Sequence, residues 1–152
     1  MCYLKPMEDS QFENYVTHAI KNDEQELIKS GELNEKTAGL EAKNAFFNLL
    51  PEGLKTNNQF LFNIRNETHQ NIGMIWYGLR SNQEAFIYDF EIDQKYRGQG
   101  YGKKTLLLLE EHARSLGIKK LSLHVFGHNE NAYVLYQKMG DHAYSIHMSK
   151  EI

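Results

Sequence analysis

Hydrophobic positions recur along this chain with two periods, and the change of period divides it. Near the start the spacing is helical. Phe12, Val16, Ala19 and Ile20 form a stripe that can continue through Leu27 and Ile28 until Gly31 breaks it, and Asp9 or Ser10 can cap it. Ala38, Ala42, Ala45, Phe46 and Leu49 form a second stripe, with Asn34 as its cap and Pro51 and Gly53 closing the region. Tyr3 to Lys5, stopped by Pro6, predicts a short strand ahead of both helices. From residue 59 the period is two. Phe60, Phe62 and Ile64 alternate with polar neighbours, Ile72 to Leu79 follows the turn 66–70, and Phe86, Tyr88, Phe90 and Ile92 alternate with Ile87, Asp89 and Glu91. Three strands joined by short turns make an antiparallel meander.

The helical period returns at 103–116, with Gly117 placed as its C-cap. Leu121, Leu123 and Val125 then alternate with Ser122, His124 and Phe126. This strand is reached through a helix, so it is expected to lie parallel to strand 85–92. Asn129 can cap a further helix whose Ala132, Leu135, Tyr136 and Met139 share a face, Gly140 ends it, and 142–150 can form a last strand. The fold class that follows is α/β. Its sheet is mixed and mostly antiparallel, with one parallel pair at its centre and helices on both faces.

Between strand 85–92 and helix 103–116 stands Tyr96-Arg97-Gly98-Gln99-Gly100-Tyr101-Gly102-Lys103-Lys104. A strand, a glycine loop and a helix present bare backbone N–H groups and the positive end of a helix dipole to an anion. Arg97, Lys103 and Lys104 add cationic side chains, so the loop reads as a cradle for a pyrophosphate. By itself it also reads as a plain turn. The spacing is neither the dinucleotide G-x-G-x-x-G nor the Walker G-x-x-x-x-G-K-[ST].

Composition narrows the picture only slightly. A chain of 152 residues is one domain with a real core. A net charge of −3 argues against a nucleic-acid partner and is compatible with cationic substrates. The run Leu106–Leu109 is too short to span a bilayer, and Met1–Pro6 lacks the apolar core of a signal peptide, so no membrane partner and a cytoplasmic location are the expectation. Cys2 is the only cysteine, which rules out an internal disulfide. No metal site is assigned, and a homodimer is left open.

The stretch Asn129-Glu130-Asn131-Ala132-Tyr133-Val134-Leu135-Tyr136-Gln137-Lys138-Met139-Gly140, taken with the glycine loop, resembles the GNAT superfamily of N-acetyltransferases. Arg97, Gly100 and Gly102 match that family's [QR]-x-x-G-x-[GA]. Asn129, Ala132, Leu135, Tyr136 and Gly140 match its N-x-x-A-x-x-L-Y-x-x-x-G-F, whose last aromatic is Asp141 here. Segments 50–54 and 122–126 look similar to a small bacillus-type subgroup. The resemblance implies acetyl-CoA as cofactor, held by Phe90, Glu91, Ile92, Arg97, Gly98, Gln99, Gly100, Tyr101, Gly102, Lys103, Lys104, Asn129, Ala132 and Tyr136. The pyrophosphate would lie on the N–H groups of 98–103. The pantetheine arm would add like a strand along Phe90–Ile92, and the N–H near Ile92 would polarise the thioester.

The activity implied is acetyl transfer to a primary amine by direct attack, with Tyr136 as acid to the leaving thiolate. The family's glutamate base position holds Phe86, so the base is sought among Glu91, Asp89 and His124. Each of these also reads as an ordinary polar-face residue, and Tyr136 also reads as a core ring. An acyl-CoA sensor without turnover is the alternative to an enzyme, and a protein amine is the alternative to a small one.

Overall fold

The computed structural model describes residues 1–31 and 35–152. Its elements are β1 (Cys2–Pro6), α1 (Asp9–Lys29), α2 (Glu35–Leu49), β2 (Gln59–Asn66), β3 (Asn71–Leu79), β4 (Glu84–Ile92), α3 (Tyr101–Ser115), β5 (Lys120–Leu123) and α4 (Glu130–Lys138), with 3-10 turns at Gly53–Lys55 and Gln94–Tyr96. The sheet has five strands in the order β1-β2-β3-β4-β5. All neighbours are antiparallel except β4 and β5, which run parallel. The mixed α/β class expected from the sequence is the one observed.

Alternation along β2 and β3 assigns the two faces. Leu61, Met74 and Trp76 pack against Tyr15, Ala19, Phe46 and Leu50 of the α1–α2 region. Phe62, Ile75 and Tyr77 pack against Leu106, Leu109 and Ala113 of α3, with Leu135, Tyr136 and Met139 of α4 at the border.

Several local expectations are corrected. The cap of α1 is Glu8, whose N–H donates to Gln11 Oε1 at 2.9 Å, so the helix starts ahead of the Asp9 or Ser10 cap. Ala45 is exposed, because α2 buries the i, i+4 row Ala38, Ala42 and Phe46. Asn34, expected as the cap of α2, lies outside the described residues. The glycine-loop helix begins at Tyr101, not at 103. Strand β5 ends at Leu123, short of 126, and 142–150 forms no strand. The parallel pair is therefore at one end of the sheet and not at its centre, since no strand is added beyond β5 among the described residues.

Candidate active site

The site is built on a slip in β4. Trp76 pairs with Asp89, but the next residue, Tyr77, pairs with Ile87, so Tyr88 is an extra residue on β4. Such a bulge bends its strand and leaves one residue unpaired. On the other side of β4, pairing with β5 runs from Glu84 opposite Lys120 to Ile87 opposite Leu123 and stops there. From Tyr88 to Ile92 that edge of β4 faces no strand among the described residues. This is the splay that the family resemblance implies, and the bulge lies where it begins.

The bulge also shifts the side-chain phase, which corrects the simple alternation read from the sequence. Phe86 and Tyr88 do not share a face with Phe90 and Ile92. Past the slip, Asp89 and Glu91 stand opposite Trp76 and Met74 on the α1 face, while Phe90 stands opposite Ile75 on the α3 face. Both carboxylates are thereby turned toward α1.

At one end of the gap lies the start of α3. Gly100, its N-cap, has φ +87°, and Gly98 has φ +74°, a left-handed region costly for other residues. No side chain caps this helix, and its first turn holds no acidic residue. The N–H groups of a first turn have no partner within their own helix, so they are free for an anion. A Cβ on Gly98 or Gly100 would meet nothing within 4 Å, so the backbone here is open in front. Gly102 is different: its Cβ would lie 3.3 Å from Leu135 Cδ2 and 3.9 Å from Phe90 Cζ, so it lets α3 close against α4 and β4.

The side chains around the loop are unequal. Lys103 and Lys104 are exposed. Arg97 is engaged, with Nε donating to Ile92 O at 2.7 Å and Nη2 at 3.8 Å from Glu91 Oε1. Gln99 Nε2 donates to Lys95 O at 3.3 Å, and Tyr101 stands edge-on to Tyr96. On α4, Asn129 Oδ1 accepts from Ala132 N at 3.4 Å, which is the capping role expected of it.

At the other end of the gap is a cluster of titratable groups. The Tyr15 hydroxyl donates to Asp89 Oδ2 at 2.7 Å. Burial raises the Asp89 carboxyl above the ordinary carboxylate range; the Tyr15 hydrogen bond opposes this and the charge of Glu91 adds to it. Burial also holds the Tyr15 phenol well above its usual range. Glu91 stands between Arg97 and His18, whose Nε2 is 3.7 Å from its Oε2. Burial, together with the charges of Asp89 and Glu26, pushes Asp23 up to about 6. His128 Nε2 lies 2.6 Å from Glu26 Oε2 and ties the segment after β5 to α1. Tyr136, half-buried on α4, is close enough for Asp89 to act on it. Burial is the first cause that raises its phenol to about 12, followed by the charges of Asp141 and Asp89.

The raised Asp23 has a consequence for stability. A carboxyl that holds its proton more tightly folded than unfolded destabilises the fold once ionised, so its cost is present above pH 6 and relieved below about pH 4. Asp23→Asn is expected to raise the melting temperature at pH 8 by about 2–4 °C, the shift that ~1 kcal/mol produces in a domain of this size. The difference should vanish near pH 4, and calorimetric scans at the two pH values check it.

The sequence candidates Asp89 and Glu91 thus stand together on the α1 face of β4, while Tyr136 lies on α4 at the border of the α3-side core. His124 lies past the end of β5, exposed, with its ring 4.7 Å from that of Phe126. Sequence reasoning missed Tyr15 and Asp23. Their signal was spacing: Tyr15, Ala19, Asp23 and Glu26 follow one face of α1.

Residues 17–141 match the model of the acetyltransferase (GNAT) family. The N-acetyltransferase YycN of Bacillus subtilis is 40% identical over 152 residues, spanning 98% of this chain and 97% of YycN. The crystal structure of YycN superposes with a TM-score of 0.94 at 39% identity, covering 100% of this chain and 99% of that one. A spermine/spermidine N(1)-acetyltransferase of Bacillus subtilis is 35% identical over 77 residues, 45% of this chain and 51% of that protein.

Proposed function

Since the chain belongs to the acetyltransferase (GNAT) family, we propose that it moves an acetyl group from acetyl-CoA to the primary amine of a small cationic acceptor, by direct attack with both bound together. The observation that carries this reading is the gap that opens after Ile87 and Leu123, with an uncapped helix start at one end and the hydrogen-bonded pair Asp89 and Tyr15 at the other.

The residues fit acetyl-CoA. The first-turn N–H groups of α3, with Lys103 and Lys104, would hold the pyrophosphate, and the bare edge of β4 at Phe90–Ile92 would take the pantetheine amides as a strand edge takes a peptide. When bound, the cofactor supplies an acetyl group activated as a thioester. Asp89 is oriented by the Tyr15 hydroxyl and accepts the proton of the incoming ammonium at its carboxylate. Tyr136 keeps a proton on Oη at neutral pH and offers it at the gap.

The acceptor class follows from charge. Asp23, Glu26, Asp89 and Glu91 line the α1 side of the site, against Arg97, His18 and His128. An alkyl polyamine, the kind of substrate named for one relative, suits such a wall. Release of free thiol from acetyl-CoA on adding spermidine, measured beside neutral and acidic amines, tests the reading. Thiol release with the polyamine and much less with acidic amines is expected. Acetyl-CoA binding with no turnover on any amine would make the domain a sensor.

The loop assignment has its own check. Gly100→Val forces a β-branched residue into a left-handed conformation at the anion end of α3 and is expected to weaken acetyl-CoA binding at least tenfold by calorimetry. Gly102→Val would press on Leu135 and Phe90. It is expected to lower the melting temperature as well as the affinity. Unchanged binding in Gly100→Val would remove the loop from the cofactor site.

A further inference from the structure

An aromatic row runs along the α1 face of the sheet, starting beside Asp89. Tyr88, the extra residue of the bulge, packs at the border of the α1-side core, its ring 4.8 Å from that of Trp76. Phe86 lies two residues back on β4, opposite Gly78, and its ring is 5.0 Å from that of Tyr88. Trp76 is buried, whereas Tyr88 and Phe86 are half-buried, so the row is open from Tyr88 onward.

The open end of the row already carries a cation. The Arg80 guanidinium lies over the Phe86 ring, 3.6 Å from its centroid, and 5.9 Å from the centroid of Tyr88. The backbone of Arg80 is fixed by the turn between β3 and β4, where its N–H donates to Glu84 O at 2.9 Å. The side chain is exposed and makes no ion pair or hydrogen bond among the described residues. The Glu84 carboxylate instead accepts from Ser122 Oγ at 3.1 Å. Ring faces alone hold the guanidinium, and an exposed contact of that kind is weak. The protein thus shows a cation-binding surface that it fills with a loosely held side chain of its own.

We propose that the rings of Phe86 and Tyr88 bind a second cation of the acceptor, and that Arg80 holds this place until the acceptor displaces it. The proposal rests on the reading of Asp89 as the group that takes the acceptor's proton. Three residues of strand separate Phe86 from Asp89, on the order of 10 Å, a span that an extended polyamine covers between one ammonium and another. Ring faces attract the ammonium, and the methylenes between the two charges lie on apolar ring surface. Arg80 makes the row selective. A monoamine reaches Asp89 and leaves the guanidinium where it is. A polyamine gains the ring face by expelling it, and the guanidinium that swings out leaves no carboxylate unpaired. Only the side chain has to move, because the turn keeps its backbone in place.

The test compares affinities for spermidine and for butylamine, measured by calorimetry on the full chain with CoA present, the monoamine by competition. Phe86→Leu is expected to lower the spermidine-to-butylamine ratio by about tenfold, and Arg80→Gln to raise it by a similar factor. Trp76 is the only tryptophan and touches Tyr88, so spermidine is also expected to change its emission saturably. An unchanged ratio in folded Phe86→Leu, a ratio that Arg80→Gln lowers or leaves alone, or binding without a change in emission would each overturn the proposal. If Phe86→Leu fails to fold, Arg80→Gln, on an exposed turn, decides alone. Binding stands apart from turnover. Thiol release with unchanged ratios strikes this proposal and leaves the transfer reading, whereas the expected ratios without thiol release strike the transfer reading and leave the second cation site.

Discussion

Replacing Tyr136 by phenylalanine is expected to lower kcat by ~10²–10⁴-fold, the usual worth of a positioned proton donor, while acetyl-CoA affinity and melting temperature change little. The ring of Tyr136 packs at the border of the α3-side core with Leu135 and Met139, and phenylalanine keeps that packing. Its hydroxyl has no protein hydrogen-bond partner among the described residues, so removing it orphans no protein group. Burial and the nearby carboxylates hold the phenol at about 12, which keeps the proton on Oη through the working range. The substitution therefore isolates one proton. Steady-state rates, calorimetry with acetyl-CoA and a melting curve on the same sample check it. A near-normal kcat would make Tyr136 a packing residue with water as the acid. Lost affinity with normal kcat at saturation would make the hydroxyl a binding contact.

What the sequence could and could not show divides along physical lines. Strand β2 was legible from the alternation through Phe60–Ile64, and β3 as the apolar run Ile72–Leu79, whose two faces are covered by different helix layers. The parallel pairing of β5 followed from its connection to β4 through a helix. The cap at Asn129 was legible because asparagine has a local reason to be there, whereas α3 starts two residues ahead of the expected position. The bulge at Tyr88 was not legible. An extra residue is defined by its partner strand, and alternation along β4 alone reads as uninterrupted. That slip decides which face Asp89 and Glu91 take, so their neighbours Tyr15 and Asp23 on α1 were hidden with it. The period-two pattern at 142–150 is real, yet it pairs with no strand among the described residues.

Asp89→Asn is expected to reduce kcat/KM at neutral pH by ~10²–10⁴-fold and to remove the acid limb of the pH–rate profile. An alkylamine is mostly protonated at pH 7, so attack needs a base. Asp89 is better placed for this than Glu91, whose carboxylate is held by Arg97 and His18. It is also better placed than His124, which sits on the exposed segment after β5. The base works ionised, so the rate rises as pH passes the Asp89 pKa, and burial sets that limb above the ordinary carboxylate range. The neighbours give the sign of two further shifts. Tyr15→Phe removes a hydrogen bond that favours the ionised form, and the limb moves to higher pH. Glu91→Gln removes a like charge, and the limb moves to lower pH. Stability separates chemistry from folding. Because ionised Asp89 is disfavoured by burial, the neutral isostere should melt no lower than the parent at pH 8, and its amide oxygen can still accept from Tyr15. A rate loss in a variant that melts normally then belongs to the missing carboxylate. If Asp89→Asn keeps both its rate and its acid limb, the base is another group, and the opposed shifts of Tyr15→Phe and Glu91→Gln should be missing as well.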